Sequence, residues 1–286
     1  MALGGCWVWV CSLVLRSETH LGQKMPGTVQ REFKLSDQAV KDFQRDGFVV
    51  IPAENIFQAS EVESIAAWTK EIEKWPETPG KWMMYFEKSS KDGSRIVQRI
   101  EKFLDYHEQM NQLFGRHSRF ERMCGQLFEE EAILFKEKIN YKLPGGEGFK
   151  PHQDYAAGWW LYGQSLQISV LVCVDPATRE NGCLEVVAGE HRKGLFGEQR
   201  KEIPEEYVQE FKWLPVETKP GDVVFFDSFV PHRSEPNNSS KPRRILYLSY
   251  AKAAEGDFRQ QYYSEKRKNL PPDCEREEGK TYQYKI

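Results

Sequence analysis

The residues best suited to chemistry begin with the stretch PHQDYAAGWW, residues 151–160. His152 and Asp154 stand one residue apart. On an extended strand, residues i and i+2 project to the same side, so an imidazole and a carboxylate at this spacing can share one ion. A third ligand from a distant strand would complete a face of two histidines and one carboxylate. That set leaves adjacent coordination positions open and is typical of non-haem Fe(II) oxygenases. The chain has six histidines. His20 lies in an N-terminal leader, His107 and His117 in a helical half, and His191 beside a loop. His232 ends the apolar run GDVVFFDSFVP, residues 221–231, far along the chain from Asp154. It is the expected third ligand.

An Fe(II) oxygenase needs an electron source to activate O2. If that source is 2-oxoglutarate, its keto-acid end chelates the metal and its far carboxylate needs a fixed cation. An arginine fork suits a carboxylate. Arg243 follows His232 at the start of the next apolar run, and Ser234, two residues after His232, can donate to the same carboxylate. Arg244 faces the opposite side and reads as structural.

The elements that must position these residues fall into two halves. In the first, Ser36 reads as an N-cap, Ala39, Val40 and Phe43 as an apolar helical stripe, and Gly47 as its stop. DGFVVI, residues 46–51, is an expected strand. Ser60 and Glu63 have capping-box spacing before a helical face of Val62, Ile65, Ile72 and Trp75 that stops at Pro76. Residues 82–103 mix strand and turn signals, and a second helical stretch is expected from Leu104 to Phe128. In the second half, AILFKEKINYKL (132–143), SLQISVLVCV (165–174), a segment within TRENGCLEVVAGEH (178–191), GDVVFFDSFV (221–230) and RRILYLSYA (243–251) read as strands bounded by Gly, Pro and Asn. Many short strands of this kind indicate a sandwich or barrel of the jelly-roll type. Gly145 and Gly146 read as a plain hairpin turn rather than a phosphate cradle, and Asp222 and Asp227 as turn carboxylates. On the first of these strands Lys136, Lys138 and Asn140 alternate onto one face and Tyr141 onto the other. Gln167 and Ser169 face inward from the next.

PHQD, ENGCLEVVAGEH and HRSEPNNSSKPRR together resemble the phytanoyl-CoA dioxygenase family of Fe(II)/2-oxoglutarate oxygenases, and the helical opening before DGFVVI matches how that family begins. The resemblance spans roughly residues 36–255. It implies a mainly β chain with a helical N-terminal half, folded as a double-stranded β-helix (a cupin-like jelly roll) flanked by helices. It implies iron ligands at His152, Asp154 and His232. For 2-oxoglutarate it implies Arg243, with Ser234, Lys138, Asn140 and Gln167 completing the site. The implied reaction is hydroxylation of an unactivated C–H with succinate and CO2 as co-products, using O2 and optionally supported by ascorbate. Related halogenases have Gly or Ala in place of the carboxylate; Asp154 points to hydroxylation. RIVQRIEKF (95–103) and YYSEKRKNLPPD (262–273) look most like a branch near the aminoethylphosphonate dioxygenases. Tyr155, Trp159 and Trp160, with Tyr162, can cage an ammonium group or pack a loop against the barrel. Arg99 and Glu101 can bind a zwitterionic substrate or form a surface ion pair.

Composition narrows the remaining classes. A net charge of -3 with no basic cluster excludes a nucleic-acid footprint. Six cysteines without a C-x-x-C pair read as scattered reduced thiols. The apolar run at residues 4–15 is too short for stable membrane insertion. Residues 1–30 read as a leader and 31–286 as one dioxygenase domain. A cytoplasmic location is expected, with mitochondrial or other targeting by the leader as the alternative. The alternatives in function are hydroxylation of an acyl-CoA or lipid-derived substrate, a non-catalytic β-barrel that binds a ligand, and a zinc hydrolase. The last has no use for Arg243 at this spacing.

Overall fold

Ser36 begins the first helix. Its hydroxyl accepts the Ala39 N–H at 3.1 Å, and helix α1 (Asp37–Asp46) ends on Gly47 at φ 81°. Gly47 also has no room for a side chain: a Cβ there would sit 2.5 Å from His191 Nδ1 and 2.6 Å from Val230. The chain then enters β1 (Phe48–Ile51), the short α2 (Ala53–Ile56) and α3 (Ala59–Glu73). In the computed structural model, which describes residues 33–282, there follow β2 (Met83–Lys88), β3 (Arg95–Glu101), α4 (Glu108–Phe114), α5 (Arg119–Phe128), β4 (Ala132–Lys142), β5 (Phe149–His152) and β6 (Gln167–Cys173). The remainder is β7 (Leu184–Val186), α6 (Glu205–Glu210), β8 (Leu214–Val216), β9 (Val223–Asp227), β10 (His232–Ser234), β11 (Arg243–Lys252) and α7 (Arg259–Asn269). The leader expected at residues 1–30 lies outside the described residues. Among the described residues no helix is long and apolar enough to cross a membrane.

Two local readings change and a third sharpens. The capping interaction of α3 lies two residues earlier than Ser60–Glu63: the Glu61 carboxylate accepts the Gln58 N–H at 2.8 Å, so Ser60 is already inside the helix. The stretch 104–128 is two helices. Gly115 ends α4, His117 takes φ 61°, and Ser118 caps α5 by accepting the Glu121 N–H. Residues 82–103 form the β2–β3 pair at one sheet edge.

Seven strands form one antiparallel sheet in the order β1-β9-β6-β11-β4-β3-β2, and four form a second in the order β5-β10-β7-β8. This is the jelly roll. The large sheet is covered on both faces. Ile168, Val170, Val172, Leu246, Leu248 and Tyr250 pack against residues of the helical half such as Phe43, Ile72, Phe114 and Phe120. From the other face, Leu171, Cys173, Val224, Phe226 and Ile245 meet Leu184, Val186 and Val216 of the small sheet. Strand β6 is therefore buried at every residue, which is why its sequence is a continuous apolar run rather than an alternating one. Each fully buried aliphatic side chain contributes about 1.5–3 kcal/mol, so this two-sided core holds the inner face rigid.

Further along the inner face the apolar pattern gives way to polar groups. Register pairs Arg243 with Lys142, Ile245 with Asn140, Tyr247 with Lys138 and Ser249 with Lys136, and Arg99 with Asn140. A row of cations and amides thus faces the small sheet, beside the strand that carries His232.

Candidate active site

Strands β5 and β10 pair so that His152 lies opposite His232, with ring centroids 4.1 Å apart. Asp154 is not on a strand with His152. It starts a 3-10 turn (Asp154–Ala157) just past β5, so the chain bends to bring the carboxylate back beside the imidazoles. Gln153 fixes that bend. Its Nε2 donates to the carbonyls of Gly194 (2.8 Å) and Phe229 (2.6 Å), and its Oε1 accepts the Phe196 N–H at 2.7 Å. Sequence reading passed over Gln153 because its role is set by loops far along the chain.

One ligand atom from each of His152, Asp154 and His232 lies within 4.8 Å of the others. Asp154 Oδ1 stands 4.0 Å from His152 Nε2 and 3.9 Å from His232 Nε2, too far for hydrogen bonds and close enough for one ion to join them. Both rings turn Nε2 to this point because Nδ1 is anchored on a backbone carbonyl. His152 Nδ1 lies 2.6 Å from Lys150 O and His232 Nδ1 lies 2.9 Å from Val230 O, the second-shell pattern of metal-binding histidines. Ser169 Oγ donates to Asp154 Oδ2 at 2.9 Å, leaving Oδ1 for the ion.

The electrostatics suit a metal. Burial and the neighbouring His232 push His152 down to about 3, and burial also lowers His232 despite Asp154. Both imidazoles are neutral and ready to coordinate at neutral pH. Burial alone would raise Asp154, but His232, Lys136, Lys138 and His152 outweigh it and hold the carboxyl well below the usual range. The ligand set is one anion and two neutral nitrogens.

The 2-oxoglutarate candidates lie along β4, β6, β10 and β11. Arg243 is 1% exposed, and its Nε and one terminal nitrogen have no hydrogen-bond partner among the described residues. A buried cation in that state costs several kcal/mol unless an anion joins it. Asn140 Oδ1 and Gln167 Oε1 are likewise buried without partners; Gln167 Nε2 donates to Gln164 Oε1 at 2.8 Å. Ser234 is buried and its Oγ accepts from Lys142 Nζ at 2.7 Å. This donor set fits a bound dicarboxylate. Lys138 lies with its Nζ 5.0 Å from the Tyr247 ring, and its charge reaches all three metal ligands. Lys142 continues the alternation of Lys136, Lys138 and Asn140, a signal the sequence offered. Arg244 is structural: it binds Asp175 through two nitrogens at 2.7 and 2.8 Å.

The substrate candidates are placed unevenly. Trp159 is 2% exposed and packs on Phe135; the cation over its ring is the chain's own Lys136, 4.0 Å away. Tyr155 stacks on Phe229 at 4.2 Å, with Trp160 6.2 Å from it. Arg99 and Glu101 do form an ion pair, at 3.2 Å, but it is buried rather than on the surface. Lys266 of α7 joins it, 2.6 Å from Glu101. A cavity of about 620 Å³ opens between the 157–162 turn and α7. The metal ligands do not line it. Lys136 is the side chain it shares with the metal-facing row.

The profile of the phytanoyl-CoA dioxygenase family matches residues 43–245. The chain belongs to this family. It is 42% identical over 221 residues to a 2-aminoethylphosphonate dioxygenase from uncultured bacterium HF130_AEPn_1, covering 77% of this chain and 84% of that one. It is 38% identical to a methylphosphonate hydroxylase from Gimesia maris, over 82% of this chain and 88% of the relative. Among solved structures, EctD from S. alaskensis with 2-oxoglutarate and 5-hydroxyectoine superposes with a TM-score of 0.65, at 22% identity and 79% coverage of both chains. That likeness shows the fold. The enzyme is a dioxygenase of the Fe(II)- and 2-oxoglutarate-dependent class, and His152, Asp154 and His232 are arranged as a group that could hold its iron.

Proposed function

We propose that this dioxygenase hydroxylates a small organophosphonate, with 2-aminoethylphosphonate as the first compound to test. The observation that carries this reading is the excess of positive charge facing the metal. Arg243 serves one carboxylate of 2-oxoglutarate at the far end of the row. Lys136 and Lys138 stand nearer the ligands, and both act on Asp154. Among the described residues Lys138 has no carboxylate within salt-bridge distance. A phosphonate dianion supplies a counter-charge for Lys138. Two relatives, at 42% and 38% identity, are named for phosphonates, which supports the same class. A quaternary ammonium substrate finds less support, because Lys136 already covers Trp159.

Bound iron, with O2 and 2-oxoglutarate, supplies the oxidant: the keto acid leaves as succinate and CO2 while one oxygen atom enters a substrate C–H. The protein's own residues do the positioning. His152, His232 and Asp154 hold the metal with Asp154 oriented by Ser169. Arg243, Ser234, Asn140 and Gln167 seat 2-oxoglutarate. Lys138 and Lys136 draw the phosphonate towards the metal and fix which C–H faces it.

The test is succinate formation by the Fe(II) protein with 2-oxoglutarate, with and without 2-aminoethylphosphonate, methylphosphonate, a betaine or an acyl-CoA. The proposal expects a phosphonate to raise the rate and to yield one hydroxylated product per succinate. Stimulation by the acyl-CoA or the betaine, with none by either phosphonate, would overturn it.

A further inference from the structure

The phosphonate reading gives the anionic end of 2-aminoethylphosphonate a place and leaves its amine without one. The metal-facing row is no partner for an ammonium: Lys136 and Lys138 are cations, and Asp154 is turned to the two histidines. The cavity of about 620 Å³ beside that row offers the missing charge. Lys136 and Arg200 bring positive charge to its wall, and Glu265 of α7 brings negative charge. Tyr262 borders both sides. Its ring stands 5.6 Å from Lys136 Nζ and 6.2 Å from the ring of Tyr162, and Tyr162 donates its hydroxyl to Glu265 Oε2 at 2.8 Å.

Glu265 is held by neutral donors. Besides Tyr162, Gln261 Nε2 donates to Glu265 Oε1 at 2.9 Å. The bonds from Gln261 and Tyr162 keep the carboxyl below its usual range, so it is an anion at neutral pH. Among the described residues no cation lies within salt-bridge distance of it. A carboxylate accepts about four hydrogen bonds, so it has capacity left for a ligand. Tyr162 is itself packed on Phe135, with ring centroids 5.6 Å apart, which fixes the wall from which the acid is presented.

We propose that Glu265 is a specificity-determining residue: beside Tyr162 it receives the primary ammonium of a zwitterionic phosphonate whose anionic end Lys136 draws towards the metal. The proposal rests on the phosphonate reading and narrows it to amino phosphonates. A primary ammonium has N–H bonds to give to the remaining lone pairs of Glu265, and a quaternary ammonium has none. An alkyl phosphonate of the same length brings only a methyl group to this carboxylate and strips it of water without replacing the lost hydrogen bonds.

The test compares 2-aminoethylphosphonate with propylphosphonate, which carries a methyl group in place of the ammonium. Each is titrated calorimetrically into protein loaded with Mn(II) and 2-oxoglutarate. Wild-type protein is expected to bind the amino compound about tenfold more tightly. Glu265→Gln removes the charge and keeps an acceptor for Tyr162; it is expected to weaken binding of the amino compound and bring the ratio of the two affinities close to one. Equal affinity of wild-type protein for the two compounds, or an undiminished ratio in Glu265→Gln, would overturn the proposal. The wild-type comparison stands even if the variant fails to fold. If neither compound binds, and neither raises succinate formation by the Fe(II) protein, it is the underlying phosphonate reading that has failed.

Discussion

Replacing Lys266 by Met removes the cation that closes α7 onto the inner face of the sheet. Glu101 has a side chain 2% exposed, with Lys266 Nζ 2.6 and 2.7 Å from its two oxygens and Arg99 Nε at 3.2 Å. Burial pushes this carboxyl up, but Lys266, Arg99 and Lys136 together outweigh burial and bring it down to about 2 from an ordinary 4.5. A drop of that size corresponds to about 3 kcal/mol of folding stability. Its sign is that of a depressed acid: the contribution is present above pH 4.5 and is lost as the pH falls towards 2. Lys266→Met leaves Arg99 and the charge of Lys136 acting on Glu101, so the loss at neutral pH should be about 3 kcal/mol, the lower end for breaking a buried pair. Glu101 should then titrate higher, and the acid loss of stability should begin nearer neutrality. Urea unfolding followed by tryptophan fluorescence from about pH 3 to pH 7 measures both. The double variant Lys266→Met/Glu101→Gln should recover part of the loss, since it removes the stranded charge. A cost below about 0.5 kcal/mol at neutral pH with an unchanged acid limb would refute the reasoning.

Two further outcomes follow from single contacts. Ser169→Ala removes the 2.9 Å bond that orients Asp154; Fe(II) or Co(II) affinity should fall roughly tenfold with little change in melting temperature, and an unchanged metal affinity would contradict the orienting role. Burial raises Asp227 to about 7 from 3.8, so the folded state keeps its proton where the unfolded chain has lost it, and stability falls by up to about 4 kcal/mol as the pH climbs through that window. Asp227→Asn retains the acceptor for the Phe229 N–H; calorimetry should find it equal to wild type near pH 4 and more stable near pH 8, and lower stability near pH 8 would count against the assignment.

The legible parts of this molecule are those encoded over a few residues. Ser36 and Gly47 mark the ends of α1 because capping and the left-handed stop are local. The strands of the jelly roll show as apolar runs between turn residues. The grouping of His152, Asp154 and His232 was legible from residue type and order, although the reason given for the pair was incomplete: Asp154 joins the cluster from a 3-10 turn held by Gln153, not from the strand. The rest depends on contacts between distant segments. The sequence does not say that Lys136 would cover Trp159, which supports packing of the two readings left open for that ring. Nor does it say that Lys266 would reach Glu101 across 165 residues of chain. Lys142 was within reach of the same alternation that picked out Lys138 and Asn140. Its contacts with Ser234, Glu235 and Gly182 and its place opposite Arg243 come from the fold alone.

The central claim is that His152, Asp154, His232 and Arg243 form one centre for Fe(II) and 2-oxoglutarate. Anaerobic titration of the Fe(II)-loaded protein with 2-oxoglutarate, followed in the visible region, tests it most directly. The account predicts a metal-to-ligand charge-transfer band that saturates with 2-oxoglutarate, is lost in His232→Ala and requires much more 2-oxoglutarate in Arg243→Met. Absence of the band from wild-type protein, or a band that forms equally well in His232→Ala, would contradict it.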